Sequence, residues 1–241
     1  MRRLASLSLV LALAACGTDD EARTGDGAPS VYAAASLAEV FPTIDPVPRY
    51  NFAGSDELAT QIREGAPADV YAAASSKYPQ ELFAERLVEE PVTFASNRLV
   101  VIVPADNPAG IEEVADVTEP GTKLVIAAEG VPIGDYTRHV FQDLGLSAAL
   151  DNVVSNEDDV KGVVGKVTLG EADAGFVYAT DAAVAGDDVI VLELPGSQPP
   201  IEYQIAVVAG SENQEAAEAF VEKVVSEEGR KQLEAAGFIL P

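Results

Sequence analysis

The sequence predicts an α/β protein with two domains, each built on a mostly parallel sheet flanked by helices, and a ligand cleft between them. Short apolar segments rich in Val and Ile alternate with amphipathic segments, which is typical of strands joined by crossover helices. Of the 241 residues, 48% are hydrophobic. A chain of this length and composition can bury one large or two modest cores.

The N-terminus has the pattern of a bacterial signal peptide. Two arginines precede an apolar run over residues 4–15, which is too short to span a bilayer core of about 30 Å. The run ends in LAAC, which resembles the lipobox where bacterial lipoproteins are cleaved and acylated. We expect removal of residues 1–15 and a lipid on Cys16, whereas the alternative is a buried structural thiol. Residues 16–29 lack periodicity and are predicted to be a solvated tether.

The charge and the cysteine count exclude several functions. Acidic residues outnumber basic ones by 40 to 15, for a net charge of −25, so nucleic acid is not an expected partner. Long-range repulsion of an anionic ligand is screened over about 8 Å at physiological ionic strength, so that local dipoles can still hold an anion in a closed cleft. The single cysteine excludes an internal disulfide and cysteine catalysis.

Each strand is predicted from a short apolar run, in chain order as follows: Ser30–Ala34, Arg49–Phe52, Asp69–Ala73, Arg98–Val103, Leu124–Ala128, Ala174–Val177, Val189–Glu193 and Tyr203–Val208. Helices are predicted to begin where amphipathic periodicity follows these runs, near Ser36, Ser55, Lys77, Ile111, Gly134, Asp158, Asp181 and Asn213. Residues 214–236 have clean helical periodicity and are followed by Gly237, an expected C-terminal cap.

Two strand-like segments, Asn97–Pro104 and Glu202–Ala209, indicate where the chain crosses between the domains. Domain one is therefore predicted to hold residues 30–96 and 206–241, and domain two residues 97–205. In such a fold a ligand lies at the carboxyl ends of strands and the amino ends of helices.

Five segments place a hydroxyl group or a free backbone N–H where a strand gives way to a helix, which is how a protein holds an oxyanion without Arg or Lys. They are YAAASL with Ser36, FAGSDELA with Ser55, GVPIGDY with Ile133 and Gly134, EDDVKG with Val160, and GFVYATDA with Tyr178. The pattern favours a receptor for a small tetrahedral dianion.

Each of these residues also has a purely structural interpretation. Ser36 and Glu39 form the spacing of a capping box, and Ser55 precedes two acidic residues that suit a helix N-terminus. Ile133 and Val160 fit ordinary helix entries, and Tyr178 fits a tyrosine at the boundary of the core.

Taken in order, the segments resemble the periplasmic molybdate-binding proteins that supply ABC transporters. The resemblance covers nearly all of the mature chain and rests on YAAASL, FAGSDELATQIREGAPADVYAAAS, NRLVVIVP, GVPIGDY, EDDVKGVVGKVTLGEADAGFVYATDA and IEYQIAVV. It implies a two-domain type II periplasmic binding protein fold that closes over molybdate or tungstate. The implied ligand shell consists of Ser36 and Ser55 from domain one and Ile133, Val160 and Tyr178 from domain two.

The resemblance also implies a monomeric receptor at the extracytoplasmic face of the cell membrane, held there by the lipid and delivering its ligand to an ABC permease. It implies no enzymatic activity, no cofactor, and no metal beyond that of the bound oxyanion. Asp56 departs from the family, which usually has a small hydroxyl residue at this position. We expect its carboxylate to point away from the ligand, along the first turn of its helix.

Three other functions are compatible with parts of the sequence: a receptor for another oxyanion, phosphate first and sulfate second; a cell-surface hydrolase; and a structural surface protein. His139 is the single histidine, and no Gly-x-Ser-x-Gly elbow accompanies it. Residues 162–168 only faintly resemble a phosphate loop. Residues 157–159 are acidic without the alternating spacing of a calcium loop, and we expect a solvated helix cap there.

Overall fold

The structure is a computed structural model that describes residues 27–196 and 198–241. The predicted signal peptide, Cys16 and most of the tether lie outside these residues. Within the described part of the chain, no helix combines the length and apolarity needed to cross a membrane.

The first sheet has five strands in the order β2-β1-β3-β10-β4. Its strands are β1 (Ser30–Ala34), β2 (Arg49–Ala53), β3 (Val70–Ala73), β4 (Val92–Asn97) and β10 (Ile201–Val207). The helices of this part are α1 (Phe41–Ile44), α2 (Ser55–Arg63), α3 (Lys77–Ala84), α7 (Gln214–Val225) and α8 (Glu227–Ala235).

The second sheet also has five strands, in the order β7-β6-β8-β5-β9. They are β5 (Leu99–Pro104), β6 (Leu124–Ala127), β7 (Val153–Glu157), β8 (Ala174–Tyr178) and β9 (Val189–Glu193). Its α-helices are α4 (Pro132–Asp143), α5 (Val160–Thr168) and α6 (Ala179–Ala185). Short 3-10 helices occur in both parts: Ala35–Leu37 follows β1, and the others are Val114–Thr118, Ser147–Asn152 and Gly186–Asp188.

The predicted α/β class with two mostly parallel, helix-flanked sheets is confirmed, and each sheet is mixed because one of its five strands runs against the other four. In the first sheet β1 runs parallel to β2 and β3, whereas β10 is antiparallel to β3 and β4. The second sheet repeats this arrangement with β5 as its antiparallel strand. A parallel pair needs a crossover connection within its sheet. β5 and β10 instead enter from the other sheet, and each runs antiparallel to both of its neighbours.

Four local predictions need correction. Strands β4 and β7 were not predicted, and β7 gave a weak signal because none of its residues is fully buried. The helix expected near Ile111 is only the 3-10 helix Val114–Thr118. The single helix expected over residues 214–236 is two helices, because the Ser226 side chain accepts a hydrogen bond from the Gly229 N–H and starts α8.

The ends of the elements otherwise follow their local chemistry. Gly237 has φ +91° after α8, and its N–H bonds the carbonyl of Glu234 while Phe238 N–H bonds that of Leu233. This is the predicted glycine cap. The helix expected near Ser36 is a three-residue 3-10 helix, followed by α1 with Pro42 in its first turn.

One continuous apolar core extends across both sheets. It includes Val31 and Phe94 from the first sheet and Val100, Val125 and Phe176 from the second. The chain passes between the sheets at Arg98 and again after β9 ends at Glu193 and before β10 begins at Ile201. The domain boundaries given above remain a prediction; β10 belongs to the first sheet over its whole length.

Candidate binding site between the two sheets

All five predicted site residues line one small cavity at the junction of the two sheets. Ser36 and Ser55 come from the first-sheet side, and the other three from the second-sheet side: Ile133, Val160 and Tyr178. Each of the five is at most 6% exposed. The volume of the cavity that the centre of a water molecule can occupy is about 20 Å³. A cavity that holds a single water has roughly 10–15 Å³ of such volume. The cavity between the sheets therefore suits a compact group of a few atoms.

Ser36 does not cap its helix. The residue at the N-cap of the 3-10 helix is Ala34, and no side chain caps this helix. The Ser36 Oγ instead lies 2.9 Å from the Tyr203 hydroxyl, and either oxygen can donate. When Tyr203 donates, the Ser36 hydrogen is left for the cavity.

Ser55 is the first residue of α2, and Gly54 occupies its N-cap. The Ser55 Oγ accepts a hydrogen bond of 3.1 Å from the Ala74 N–H, and the Ser55 carbonyl accepts one of 2.7 Å from the Tyr71 hydroxyl. These two bonds fix the residue from behind. Because the Oγ acts as an acceptor there, its hydrogen is available to a ligand in the cavity.

The N-termini of three helices meet at the cavity. Its lining includes Gly54 at the start of α2, Val131 and Ile133 at the start of α4, and Asp159 and Val160 at the start of α5. The first N–H groups of a helix lack intrahelical partners, and the helix dipole makes this end positive. The cavity therefore concentrates backbone donors and positive potential.

The helix α4 reaches the cavity because Gly134 lets it approach the end of β6. A Cβ on Gly134 would lie 2.1 Å from the carbonyl oxygen of Ala128 and 2.5 Å from that of Ala127. Gly134 is absent from the cavity lining, so its close approach is to the strand, whereas the sequence analysis expected an approach to the ligand.

Tyr178 ends β8 with its side chain buried. Its hydroxyl has no hydrogen-bond partner among the described residues. Burial raises the pKa of Tyr178 well above its ordinary value, so the group stays protonated and can donate. An unpartnered buried hydroxyl is costly unless something occupies the space that it faces.

The lining contains no Lys or Arg, and its one carboxylate is that of Asp159. The Asp159 Oδ1 accepts a hydrogen bond of 2.9 Å from the Gly162 N–H, which makes it the N-cap of α5. The cap expected for the acidic segment is confirmed, but its side chain is half-buried at the cavity and not fully solvated. No group of three metal-ligating side chains occurs in the part of the chain that the structure describes.

Two charged residues near the site were missed by the sequence analysis. The side chain of Asp181 is buried in the first turn of α6, and the Lys161 Nζ lies 3.3 Å from its Oδ1. Burial raises the pKa of Asp181 to about 6, against an opposing effect of Lys161. The two residues lie on different helices and share no sequence motif, so the sequence gives no sign that they are close together.

Asp56 is outside the cavity lining, as expected, but its Oδ1 is buried and has no hydrogen-bond partner among the described residues. Burial is the largest cause that raises the pKa of Asp56, with smaller contributions from Glu57 and Asp135. The carboxylate thus lies near the N-terminus of α2 without entering the cavity.

The other sequence candidates lie away from this cavity. His139 lines a separate cavity beside Tyr136 and Asp143. The segment resembling a phosphate loop is simply part of α5. Neither arrangement assembles a nucleophile with a base.

Comparisons with known proteins agree with the fold. Residues 47–239 match the family model described as bacterial extracellular solute-binding protein. The molybdate-binding protein ModA of Mycobacterium tuberculosis is 36% identical, with 99% of this chain and 97% of that protein covered. The periplasmic molybdate-binding protein of Azotobacter vinelandii has a TM-score of 0.73 at 22% identity, covering 88% and 99% of the two chains. The sulfate-binding protein SubI of Mycobacterium tuberculosis has a TM-score of 0.72 at 20% identity, covering 88% and 86%.

Proposed function

Because the chain belongs to the family of bacterial extracellular solute-binding proteins, we propose that it binds molybdate or tungstate in the cavity between its two sheets. Members of this family bind solutes and are not enzymes, as the sequence analysis expected. The relative from Mycobacterium tuberculosis is named for molybdate and matches this chain along almost its whole length.

The observation that carries the proposal is the set of donors around the cavity. Three helix N-termini and three hydroxyl groups meet in a space without Lys or Arg. Such a site holds a fully ionised oxyanion through oriented N–H and O–H dipoles. The proposed ligand contacts are the Ser36, Ser55 and Tyr178 hydroxyls and the backbone N–H groups of Ile133 and Val160.

The size of the cavity favours a single tetrahedral ion over a phosphorylated metabolite. Its volume exceeds that of one water by a small factor only. Because the lining residues are almost inaccessible to solvent, a ligand must enter while the two walls are apart. A ligand that bonds to both walls then favours the closed arrangement.

The chemistry of the donors favours an anion that carries no proton. Phosphate near neutral pH retains a proton that needs an acceptor, and Asp159, whose Oδ1 accepts the Gly162 N–H as the cap of α5, supplies the one carboxylate of the lining. The other proposed contacts are hydroxyl and backbone N–H donors, which suit an unprotonated dianion better than phosphate. Sulfate is also unprotonated, so only cavity size distinguishes it from the larger molybdate.

We further propose that the protein is a monomeric lipoprotein that presents its ligand to an ABC permease at the extracytoplasmic face of the membrane. This part of the proposal rests on the LAAC segment before Cys16, on the tether that follows, and on the extracellular solute-binding family. The family membership supports the location outside the cytoplasm, and the sequence alone supports the lipid.

Calorimetric titration of the purified soluble domain, residues 27–241, with molybdate, tungstate, sulfate and phosphate tests the proposed ligand. We expect molybdate and tungstate to bind. In a separate thermal melt each should raise the melting temperature, because a hundredfold excess of ligand over the dissociation constant stabilises the folded protein by about 2.7 kcal/mol. Sulfate or phosphate binding without molybdate binding would select the alternative of another oxyanion. Because sulfate, like molybdate, carries no proton near neutral pH, it is the first alternative to examine.

A further inference from the structure

We infer that Tyr78 is a positioning residue for oxyanion binding: it reaches from α3, on the first-sheet side, and holds the turn that carries the donors of α4. This inference rests on the proposed function, since it concerns the same cavity. Tyr78 itself does not line the cavity.

The contact between Tyr78 and the turn connects the two sides of the cavity. Tyr78 is the second residue of α3 and belongs to the same buried apolar cluster as Leu58, Tyr71 and Leu82, on the first-sheet side. The Tyr78 hydroxyl donates a hydrogen bond to the backbone carbonyl of Gly130, two residues before α4 begins. The bond therefore joins an element of one wall to an element of the other.

The turn at Gly130 is held at both of its polar groups. Gly130 has φ +93°, which glycine adopts without strain. Its N–H donates a hydrogen bond of 2.8 Å to the Asp135 Oδ1, in the first turn of α4, while its carbonyl accepts the Tyr78 hydroxyl. Val131 and Ile133 follow this turn immediately and line the cavity. Tyr78 and Asp135 together thus set the position of the Ile133 donor.

The Tyr78 hydroxyl is suited to a permanent donor role. Burial is the largest cause that raises its pKa above the ordinary value, and Asp56 and Asp135 add to the effect. Lys77 lies beside it, 3.8 Å from the Asp135 Oδ2, but this ion pair is half exposed. Exposed ion pairs contribute little, so the hydroxyl-to-carbonyl bond is the main polar link here.

The consequence for binding is mainly kinetic. The bond needs the two walls together but does not need the ligand, so it stabilises the closed arrangement in the ligand-free and the ligand-bound protein alike and is absent while a ligand enters. Loss of the bond should leave the association rate almost unchanged and should raise the dissociation rate.

Tyr78→Phe removes the hydroxyl and keeps the ring. Tyr50→Phe is the matched control, because the Tyr50 hydroxyl also donates to backbone carbonyls, those of Asp45 and Phe41, but entirely within the first-sheet side. We expect stopped-flow measurements with molybdate to show a dissociation rate about five- to tenfold higher for Tyr78→Phe, the size expected for one hydrogen bond. Tyr50→Phe should lower the midpoint of urea unfolding without a change in this rate.

An unchanged dissociation rate in Tyr78→Phe, or an equal rise in Tyr50→Phe, overturns the inference. A wild-type protein that binds no molybdate refutes the proposed function instead. In that case hydrogen exchange in the ligand-free protein decides the positioning role: exchange over residues 129–134 faster in Tyr78→Phe than in wild type supports it, and equal exchange overturns it.

Discussion

Gly54 lies directly against the backbone carbonyl of Asp158, so that a Cβ on this glycine would stand 2.6 Å from that oxygen. Gly54 precedes α2 on one wall of the cavity, and Asp158 lies just before α5 on the other. The backbone of Gly54 has φ −59° and ψ 139°, which any residue can adopt. The glycine is therefore required for the close approach of the two walls, and the local backbone conformation does not require it.

Gly54→Ala should prevent full closure. Because a methyl group cannot fit against the Asp158 carbonyl, we expect molybdate to bind at least tenfold more weakly, as measured by calorimetric titration, while urea unfolding of the ligand-free protein changes little. Gly165→Ala is the matched control, because no atom lies within 4 Å of its Cβ position. It should bind as wild type does; equal affinity in both variants would show that the Gly54 contact has no part in binding.

Ser36→Ala and Ser55→Ala should each weaken molybdate binding by about 1.5–3 kcal/mol, the usual value of a hydrogen bond to a charged group. Each also leaves a buried partner without its bond, Tyr203 or the Ala74 N–H, so unfolding should cost about 1–3 kcal/mol less than in wild type. Ser226→Ala removes the cap of α8, which is outside the cavity lining, and should lower stability by about 1 kcal/mol without a loss of affinity. If both cavity variants bind molybdate as tightly as wild type, Ser36 and Ser55 have structural roles only.

Asp181 predicts a pH dependence of stability. Burial raises its pKa in the folded protein from 3.8 to about 6, so the folded state binds the proton more tightly than the unfolded state. Above pH 6 the buried carboxylate is ionised, which destabilises the folded protein. As the pH falls from 6 towards 4 the carboxylate takes up a proton, and the free energy of unfolding rises by roughly 3 kcal/mol at most. The groups that surround it are Lys161, which favours the charge, and Asp159 and Glu39, which oppose it.

Comparison of wild type with Asp181→Asn isolates this effect, because all other carboxylates are common to both proteins. Urea unfolding at pH 7 and pH 5 should show that wild type gains stability relative to the variant as the pH falls. A stability difference that is the same at both pH values would mean that Asp181 titrates as an ordinary carboxyl.

Asp56→Asn should change the affinities for molybdate and phosphate in the same direction. The carboxylate lies near the N-terminus of α2 but outside the cavity lining, so it acts on any anion through its charge and accepts no proton from phosphate. Removal of the charge should increase the affinity for both anions by about a few fold, and the increase should be larger at low salt. Tighter molybdate with weaker phosphate, measured by parallel titrations, would place the carboxylate in contact with the ligand.

Cys16→Ser should release the full-length protein from the membrane. The apolar run ends at this cysteine, and the residues after it are polar, so acylation is the expected source of membrane attachment. In a bacterial host that processes lipoproteins, wild type should fractionate with membranes and the variant with the soluble fraction. Equal fractionation of the two would exclude the lipid anchor.

The elements that the sequence predicted accurately are those whose signals are local. β1 and β9 were predicted at their observed bounds, and α2 and α3 at their first residues, because apolar runs and helix-start residues act over a few positions. The break between α7 and α8 was missed although Ser226 is a favourable cap, since helical periodicity continues through it. The mixed pairing of the sheets depends on strands that arrive from the other sheet, and no local pattern records that.

For the site, the sequence by itself determined the residue types: hydroxyls and helix starts at five points along the chain, without a cation. Only the tertiary structure decided their partners. The spacing of Ser36 and Glu39 allowed a cap as the alternative to a ligand contact, yet the Ser36 hydroxyl lies beside that of Tyr203, and Gly54 lies against Asp158 across the cavity. The physical reason is that a cap or a period is a relation between neighbours in the chain, whereas a cavity is made by the packing of two sheets whose facing residues are distant in the chain, 52 positions apart for Tyr78 and Gly130.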